Sequence, residues 1–207
     1  MKFLKIHPND PQTRLMEEVV ACLKKGGIII YPTDTVYAVG CDIYNHKAIE
    51  RLCKIKGVKP EKANLSIICN DLSHLSNFAK QLDNSIFKLM KKTLPGPYTY
   101  ILKASANVPK ILHHKKKTIG IRIPDNKIAL SIVELLGNPI ITTSLKIDDE
   151  ILEYPTDPEL IFEESSDKVD MVIDGGFGKM IGSTVLDATS PNVEVIREGL
   201  GDISFFN

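Results

Sequence analysis

Four polar segments of the sequence interrupt or follow apolar stretches, and the side chains they carry could bind an anionic ligand. Ligand-binding residues of α/β proteins usually lie on loops at the ends of buried strands. Lysine serves as a point charge for phosphate, and hydroxyl groups can donate hydrogen bonds to its oxygens. The four segments are residues 31–40 (YPTDTVYAVG), residues 54–62 (KIKGVKPEK), residues 140–146 (IITTSLK), and residues 182–187 (GSTVLD) together with Arg197-Glu198-Gly199.

Each segment by itself also has a simpler structural interpretation. The Thr and Asp side chains of residues 31–40 could serve only to satisfy the backbone of a turn. The lysines of residues 54–62 could form a solvated cap at a helix C-terminus, where cations interact favourably with the helix dipole. Residue types alone therefore leave a binding role and a structural role open for each segment.

The elements that position these segments are strands and helices interleaved along the chain. Short apolar runs predict strands, and stripes of apolar residues at helical spacing predict helices. The first helix should have Asp10 at its N-cap and Pro11 at its first position, and should end at Gly26-Gly27. The predicted strands are 3–6, 28–31, 65–69, 98–103, 119–123, 139–143, 169–173, 183–187 and 193–197, and the further helices are 46–56, 85–92, 128–136 and 157–164.

This interleaving, without a repeat or a linker, predicts one domain over residues 1–207. The fold class should be α/β or mixed α+β, with a twisted and partly parallel sheet. The composition, 43% hydrophobic and 25% charged, is that of an ordinary globular chain.

The net charge of zero is unevenly distributed along the chain. Residues 148–170 carry ten acidic side chains against Lys168, a net charge of −9, so the rest of the chain carries +9. A basic body suggests an anionic ligand or a nucleic acid, and Lys115-Lys116-Lys117 adds a basic run, although such a run is usually a solvated surface.

Other classes of site and location are disfavoured. The longest apolar run, residues 27–39, is broken by Pro32, Thr33, Asp34 and Thr35, so we expect no membrane span. The N-terminus lacks the apolar core of a secretory signal, and we expect a cytoplasmic protein. The four cysteines and five histidines show no metal-ligand spacing, so we predict no structural zinc. Cys22, Cys53 and Cys69 have apolar neighbours and are interpreted as small buried hydrophobes.

Taken together and in order, the segments resemble the YrdC-like family over essentially the whole chain. The N-terminal IHPNDPQ and the loop LKIDDE resemble its YciO-type branch. The resemblance implies an open, twisted mixed sheet flanked by helices, with a basic concave surface. The matching motifs are Gly26-Gly27 with YPTDTVYAVG, KIKGVKP, LPGPYT at residues 94–99, GIRIP at residues 120–124, Thr142-Thr143-Ser144, Ser183-Thr184-Val185 and Arg197-Glu198-Gly199.

Family synthases convert L-threonine, bicarbonate and ATP with Mg²⁺ to threonylcarbamoyl-AMP and pyrophosphate, for tRNA modification. The resemblance implies no catalytic side chain, because the site mainly positions two anions and neutralises their charge. It also implies that Thr35, Arg122 and Thr143 bind the substrate threonine, with Arg122 on its carboxylate. The implied nucleotide-binding residues are Lys56, Lys59, Ser144, Ser183 and Arg197.

Three positions depart from the synthase pattern. The motif K-x-R has become Lys56-Gly57-Val58-Lys59, and lysine lacks the planar fork of arginine. The motif S-x-N has become Ser144-Leu145-Lys146, which replaces an amide by a cation. The strand motif LIVHI reads LSIIC, with Ile68 where a His would be expected.

Two hypotheses about function follow. In the first, the chain is an enzyme that acts on ATP and threonylcarbamoyl-AMP, by synthesis or by a related reaction such as hydrolysis. In the second, it is a non-catalytic module that binds double-stranded RNA, tRNA or a nucleotide through its basic surface. Since no long extension follows residue 207, we expect the second domain of the larger synthases to be absent.

Overall fold

The computed structural model of the chain describes residues 1–112, 117–145, 155–165 and 167–206. The strands are β1 (Lys2–Lys5), β2 (Ile29–Tyr31), β3 (Ala38–Asp42), β4 (Ser66–Ile68), β5 (Tyr98–Lys103), β6 (Thr118–Arg122), β7 (Ile140–Ser144), β8 (Met171–Asp174), β9 (Thr184–Asp187) and β10 (Glu194–Arg197). The α-helices are α1 (Thr13–Lys24), α2 (His46–Ile55), α3 (Leu72–Phe78), α4 (Asn84–Thr93), α5 (Lys127–Leu136) and α6 (Pro158–Glu164), and short 3₁₀ turns lie at Pro60–Lys62, Lys110–Leu112 and Ser204–Phe206.

The strands form one open mixed sheet in the order β1-β8-β2-β3-β7-β4-β6-β5-β9-β10. Strands β1, β8 and β2 run parallel to one another, as do the pairs β4/β6 and β5/β9, and the other pairs are antiparallel. The partly parallel sheet predicted from the interleaved pattern is therefore confirmed.

Helices cover both faces of the sheet over two apolar clusters. Helices α1 and α5 pack on one face, and their buried side chains share a cluster with Leu4, Tyr31 and Ile173. Helices α2, α3, α4 and α6 contribute to the cluster on the other face, which includes Tyr37 and Tyr100. Apolar residues at helical spacing form a stripe along each helix. Burial of this stripe against the sheet fixes the position of the helix, because it provides most of the stability of the helix.

Local signals in the sequence explain four helix starts and one helix end. The side chains of Asn45, Asp71, Asn126 and Asp157 accept backbone N–H groups at the starts of α2, α3, α5 and α6. Gly137 follows α5 with a φ of 81°, a left-handed conformation that glycine adopts without a steric penalty.

The start of α1 differs from the prediction. The helix begins at Thr13 with Gln12 as its N-cap, not with Asp10 and Pro11. The side chain of His7 accepts the Asp10 N–H at 3.1 Å, and the Gln12 Oε1 accepts the His7 N–H at 3.1 Å. These two bonds hold the residues before Thr13 in a turn, which delays the helix.

Two elements were not predicted. Strand β3 pairs antiparallel with β2, so YPTDTVYAVG is a hairpin whose loop, residues 32–37, joins two buried strands. Helix α3 has only seven residues, and the Asp71 cap is its clearest local signal. The prediction that Cys53 and Cys69 are buried hydrophobes is confirmed, whereas Cys22 is only partly buried.

Strand alternation places several polar side chains on the face that carries α1 and α5. The Tyr31 hydroxyl, in the apolar cluster on that face, donates to Thr142 Oγ1 at 2.7 Å. Arg122 lies opposite Ile68 of the same cluster, and directly opposite residues project to the same side of a sheet.

Among the described residues, no helix is long and apolar enough to cross a membrane.

Candidate functional site

Arg122, at the end of β6, forms a buried polar cluster with the loop between β2 and β3. Its Nη2 donates to Asp34 Oδ1 at 2.8 Å and to Thr35 Oγ1 at 3.1 Å. Thr33 orders the loop, because its hydroxyl accepts the Thr35 N–H at 3.0 Å and donates to the Val36 carbonyl at 2.8 Å. The structure therefore brings two of the three predicted threonine ligands, Thr35 and Arg122, into contact.

Two atoms of this cluster lack hydrogen-bond partners. Asp34 Oδ2 and Arg122 Nε are buried and have no partner among the described residues. An unsatisfied buried polar atom costs about 1–3 kcal/mol, and more when it carries charge. Ligand sites often retain such atoms, because a bound molecule supplies the missing partner.

Burial is the dominant influence on both charges of this ion pair. It raises the pKa of the Asp34 carboxyl above its ordinary value, and Arg122 opposes that rise. It lowers the pKa of the Arg122 guanidinium, and Asp34 opposes that fall. Both shifts have the same cause, since removal from water disfavours each charged form.

A cavity of about 370 Å³ opens beside the cluster. Asp34 and Thr35 line it, whereas Arg122 lies behind them and is absent from the described lining. The side chains of Asp125 and Lys179 bring a negative and a positive charge to the same cavity. The remaining lining residues are Thr33, Pro95, Gly96, Pro97, Asn126, Phe177 and Leu200.

The loop between β8 and β9 closes one side of this cavity. The Lys179 N–H donates to the Thr35 carbonyl at 3.0 Å. The Tyr37 hydroxyl donates to the Gly176 carbonyl at 2.7 Å and accepts the Gly175 N–H at 3.2 Å. Burial raises the pKa of Tyr37 to about 12, so this hydroxyl keeps its proton and both bonds at neutral pH.

The predicted nucleotide residues Ser183 and Arg197 are also in contact. Arg197 Nη2 donates to the Ser183 carbonyl at 2.7 Å, and Ser183 Oγ lies 2.8 Å from Thr99 Oγ1. Gly199 packs closely here, because a Cβ added to it would lie 2.5 Å from the Ser183 carbonyl oxygen. The glycine of the Arg197-Glu198-Gly199 motif thus lets the two segments approach each other.

Lys56 and Ser144 form a third pair. Lys56 Nζ donates to the Ser144 carbonyl at 3.1 Å, which joins the end of α2 to the end of β7. Lys59 is exposed and precedes the 3₁₀ turn. Thr143 lies opposite Val39, whose cluster is on the α2 face, so its side chain projects away from the face that carries Arg122.

The three positions that depart from the synthase pattern lie in different environments. Val58 is 40% exposed, and its N–H donates to the Cys53 carbonyl at the end of α2. Ile68 is fully buried in the cluster shared with α1 and α5. Lys146 lies outside the described residues, as does much of the acidic segment and part of the basic run before Lys117.

Sequence reasoning missed several residues that the fold brings to this site. Asp34 was part of a recognised motif but was assigned no ligand, and only its burial against Arg122 singles it out. Asp125 directly follows the GIRIP motif, so its position next to a strand end was a usable signal. Lys179 gave no local signal, because its approach to the cavity depends on the path of the loop between β8 and β9.

The family comparison agrees with this geometry. The model of the Sua5/YciO/YrdC family, described as telomere recombination, matches residues 21–199. The YciO protein of Escherichia coli is 44% identical over 207 residues, which covers 99% of this chain and 98% of that protein. The crystal structure of E. coli YciO superposes with a TM-score of 0.93 at 42% identity and covers 100% of both chains.

Relatives with a named activity are also similar. A putative threonylcarbamoyl-AMP synthase of Methanocaldococcus jannaschii is 36% identical over 204 residues, covering 96% of this chain and 93% of that protein. The structure of Pyrococcus abyssi Sua5 complexed with L-threonine matches with a TM-score of 0.86 at 26% identity, covering 96% of this chain and 58% of that one. The chain belongs to the Sua5/YciO/YrdC family, which includes threonylcarbamoyl-AMP synthases.

Proposed function

We propose that this chain is an enzyme that binds L-threonine and an adenine nucleotide and acts on threonylcarbamoyl-AMP, by forming it or by hydrolysing it. The observation that carries the proposal is the buried contact of Arg122 with Asp34 and Thr35, two residues that line a cavity of about 370 Å³. A related protein with the same fold, P. abyssi Sua5, has been crystallised with L-threonine.

The charges that line the cavity suit a zwitterionic amino acid. Asp34 and Asp125 bring carboxylates that can bind an ammonium group, and Lys179 brings an ammonium that can bind a carboxylate. Arg122 lies behind the lining residues and is already paired with Asp34. In this arrangement Arg122 acts on the amino acid through Asp34 and Thr35, which it holds in position, in addition to any direct contact with the carboxylate.

The nucleotide would lie beside the cavity along the other motif residues. Ser183 and Arg197 are held together at one end of the sheet, and Lys56 and Ser144 at the end of β7. Hydroxyls and cations of this kind can bind phosphate oxygens. The described residues contain no group of three His, Cys, Asp or Glu side chains that could hold a metal, so Mg²⁺ would enter bound to the phosphates of ATP.

The reaction needs few reactive side chains. In the forming direction, an oxygen of threonine carbamate bonds to the α-phosphorus, and the bond from that phosphorus to pyrophosphate breaks. In hydrolysis, water cleaves the mixed anhydride and AMP leaves. In both reactions the protein positions the reactants and stabilises negative charge.

The test is incubation of the purified chain with ATP, threonine, bicarbonate and Mg²⁺, followed by chromatography for pyrophosphate and the adenylate. A parallel incubation with authentic threonylcarbamoyl-AMP measures release of AMP. Arg122→Lys should abolish the activity found, whereas Arg14→Lys, on the exposed side of α1, should leave it unchanged. If neither substrate set reacts at high protein concentration, the enzymatic proposal is wrong.

A further inference from the structure

Tyr37 joins two of the loops that line the cavity of about 370 Å³. It lies at the end of the loop between β2 and β3 and is only 1% exposed. Its hydroxyl donates to the Gly176 carbonyl at 2.7 Å and accepts the Gly175 N–H at 3.2 Å. Both glycines follow β8, so a single side chain fixes the backbone of two consecutive residues in the other loop.

Glycines allow the loop after β8 to lie this close to Tyr37. Gly176 has a φ of 95°, a left-handed conformation that glycine adopts without a steric penalty. A Cβ added to Gly178 would lie 2.8 Å from the Tyr37 ring, and one added to Gly175 would lie 2.7 Å from Pro32. Both distances are shorter than a side chain tolerates, so this contact between the loops depends on the glycines.

Further backbone bonds continue the contact as far as Lys179. The Gly178 N–H donates to the Thr156 carbonyl at 2.8 Å, and the Lys179 N–H donates to the Thr35 carbonyl at 3.0 Å. Thr35 belongs to the same loop as Tyr37. Lys179 is exposed and lines the cavity. The position of its ammonium in the cavity therefore depends on how the loop after β8 rests on residues 32–37.

We propose that Tyr37 is a positioning residue of the amino-acid site, whose hydroxyl holds the loop after β8 so that the Lys179 ammonium meets the substrate carboxylate. This role rests on the proposed function, in which a zwitterionic amino acid occupies the cavity. Tyr37 is absent from the described lining of the cavity. It therefore acts on the ligand through Lys179 and makes no contact of its own.

Calorimetric titration with L-threonine tests this role in a double-mutant cycle. Tyr37→Phe keeps the ring and removes only the hydroxyl, so it should weaken binding by about fivefold, the net contribution of one hydrogen bond. Lys179→Met should weaken binding by about tenfold or more, because it removes a charged partner. The double variant should bind no more weakly than Lys179→Met, since a residue that acts through another gives a non-additive effect.

Tyr100→Phe is the matched control for the loss of a buried hydroxyl. The Tyr100 hydroxyl is buried and lies 2.7 Å from Thr93 Oγ1, and Tyr100 does not line the cavity. This variant should therefore lose stability as Tyr37→Phe does, but should bind L-threonine as wild type does.

Limited proteolysis measures the contact between the loops without any ligand. Trypsin cleavage between Lys179 and Met180 requires the loop after β8 to leave residues 32–37, which hold its backbone. Initial cleavage at this bond, identified by mass spectrometry, should be about fivefold faster in Tyr37→Phe than in wild type. It should be unchanged in Tyr100→Phe.

Equal L-threonine affinity in wild type and Tyr37→Phe, or additive losses in the double variant, would overturn the positioning role while leaving threonine binding in place. A loss of affinity in Tyr100→Phe as large as that in Tyr37→Phe would indicate a general loss of stability and would also overturn it. Absence of threonine binding in wild type would contradict the proposed function instead. In that case, faster cleavage after Lys179 in Tyr37→Phe would still support the contact between the loops, and unchanged cleavage would overturn it.

Discussion

Arg122 Nη2 donates to Asp34 Oδ1 at 2.8 Å, although 88 residues separate the two in the sequence. The side chains of Arg122 and Asp34 are only 9% and 8% exposed. The pair joins β6 to the loop after β2, elements that are not neighbours in the sheet. A charge pair this deep needs further polar partners, and Asp34 Oδ2 and Arg122 Nε have none. Stability, pH response and ligand binding should therefore all depend on this pair.

Removal of one partner should destabilise the fold. Arg122→Met leaves the Asp34 carboxyl buried without the cation that opposes its raised pKa, which costs about 3–5 kcal/mol in the free energy of unfolding. Urea denaturation followed by circular dichroism measures this loss. Arg14→Met is the control, because Arg14 is exposed on α1, so its effect should stay within about 0.5 kcal/mol. A loss below about 1 kcal/mol for Arg122→Met would show that the pair is not a structural element.

The same carboxyl predicts a pH dependence of stability. Burial raises the folded-state pKa of Asp34 above its ordinary value, so the folded chain binds this proton more tightly than the unfolded chain. The contribution of Asp34 to stability is therefore present at low pH and is lost as pH rises through the raised pKa. Unfolding free energies measured across acidic pH in wild type and Asp34→Asn should differ in slope over that interval, with the steeper decline in wild type. Parallel curves would contradict the prediction.

The carboxylates of Asp34 and Asp125, which line the cavity of about 370 Å³, should select ligands that carry an ammonium group. Wild type should bind L-threonine at least about tenfold more tightly than the 2-hydroxy analogue, which replaces the ammonium by a hydroxyl, because a charged hydrogen bond is lost. In Asp34→Asn this preference should shrink, as measured by calorimetry with both ligands. Asp125→Asn serves as the comparison, since Asp125 lines the same cavity. If the preference disappears only in Asp125→Asn, the ammonium lies there instead.

The departures from the synthase pattern should limit synthesis. Val58→Arg combined with Lys146→Asn restores an arginine fork and an amide at the two altered motifs, so the rate of pyrophosphate release with threonine should rise above that of wild type. Val58 is 40% exposed, and an arginine fits there without a cavity or a clash in the core. The threonine-free reaction is the control for unrelated ATP hydrolysis. No increase in the double variant would mean that other differences set the activity.

Double-stranded RNA binding stays a prediction from the charge distribution. If the basic body binds phosphates, the affinity for duplex RNA should fall with salt concentration, with a slope of several units on logarithmic axes. Filter binding or fluorescence anisotropy at several salt concentrations measures that slope. Affinity that is absent, or that does not change with salt, would contradict the prediction.

Much of the candidate site could be predicted because its residues lie in short motifs at the ends of strands or of a helix. Thr35, Lys56, Ser144, Ser183 and Arg197 were each recognised in this way, and the structure pairs all five with a backbone or side-chain partner. The contacts themselves could not be predicted, because each links segments far apart in the sequence. Whether these residues bind threonine and a nucleotide stays a prediction.

The sequence by itself determined the types and order of most elements and the family of the chain, because apolar periodicity, caps and glycine turns act over a few residues. Only the tertiary structure decided which motif residues meet. Strand register turns Thr142 toward the Arg122 face and Thr143 away from it, and β8 inserts between β1 and β2 from far along the chain. The buried pair of Arg122 and Asp34 arises from such a non-local contact, which no local pattern encodes.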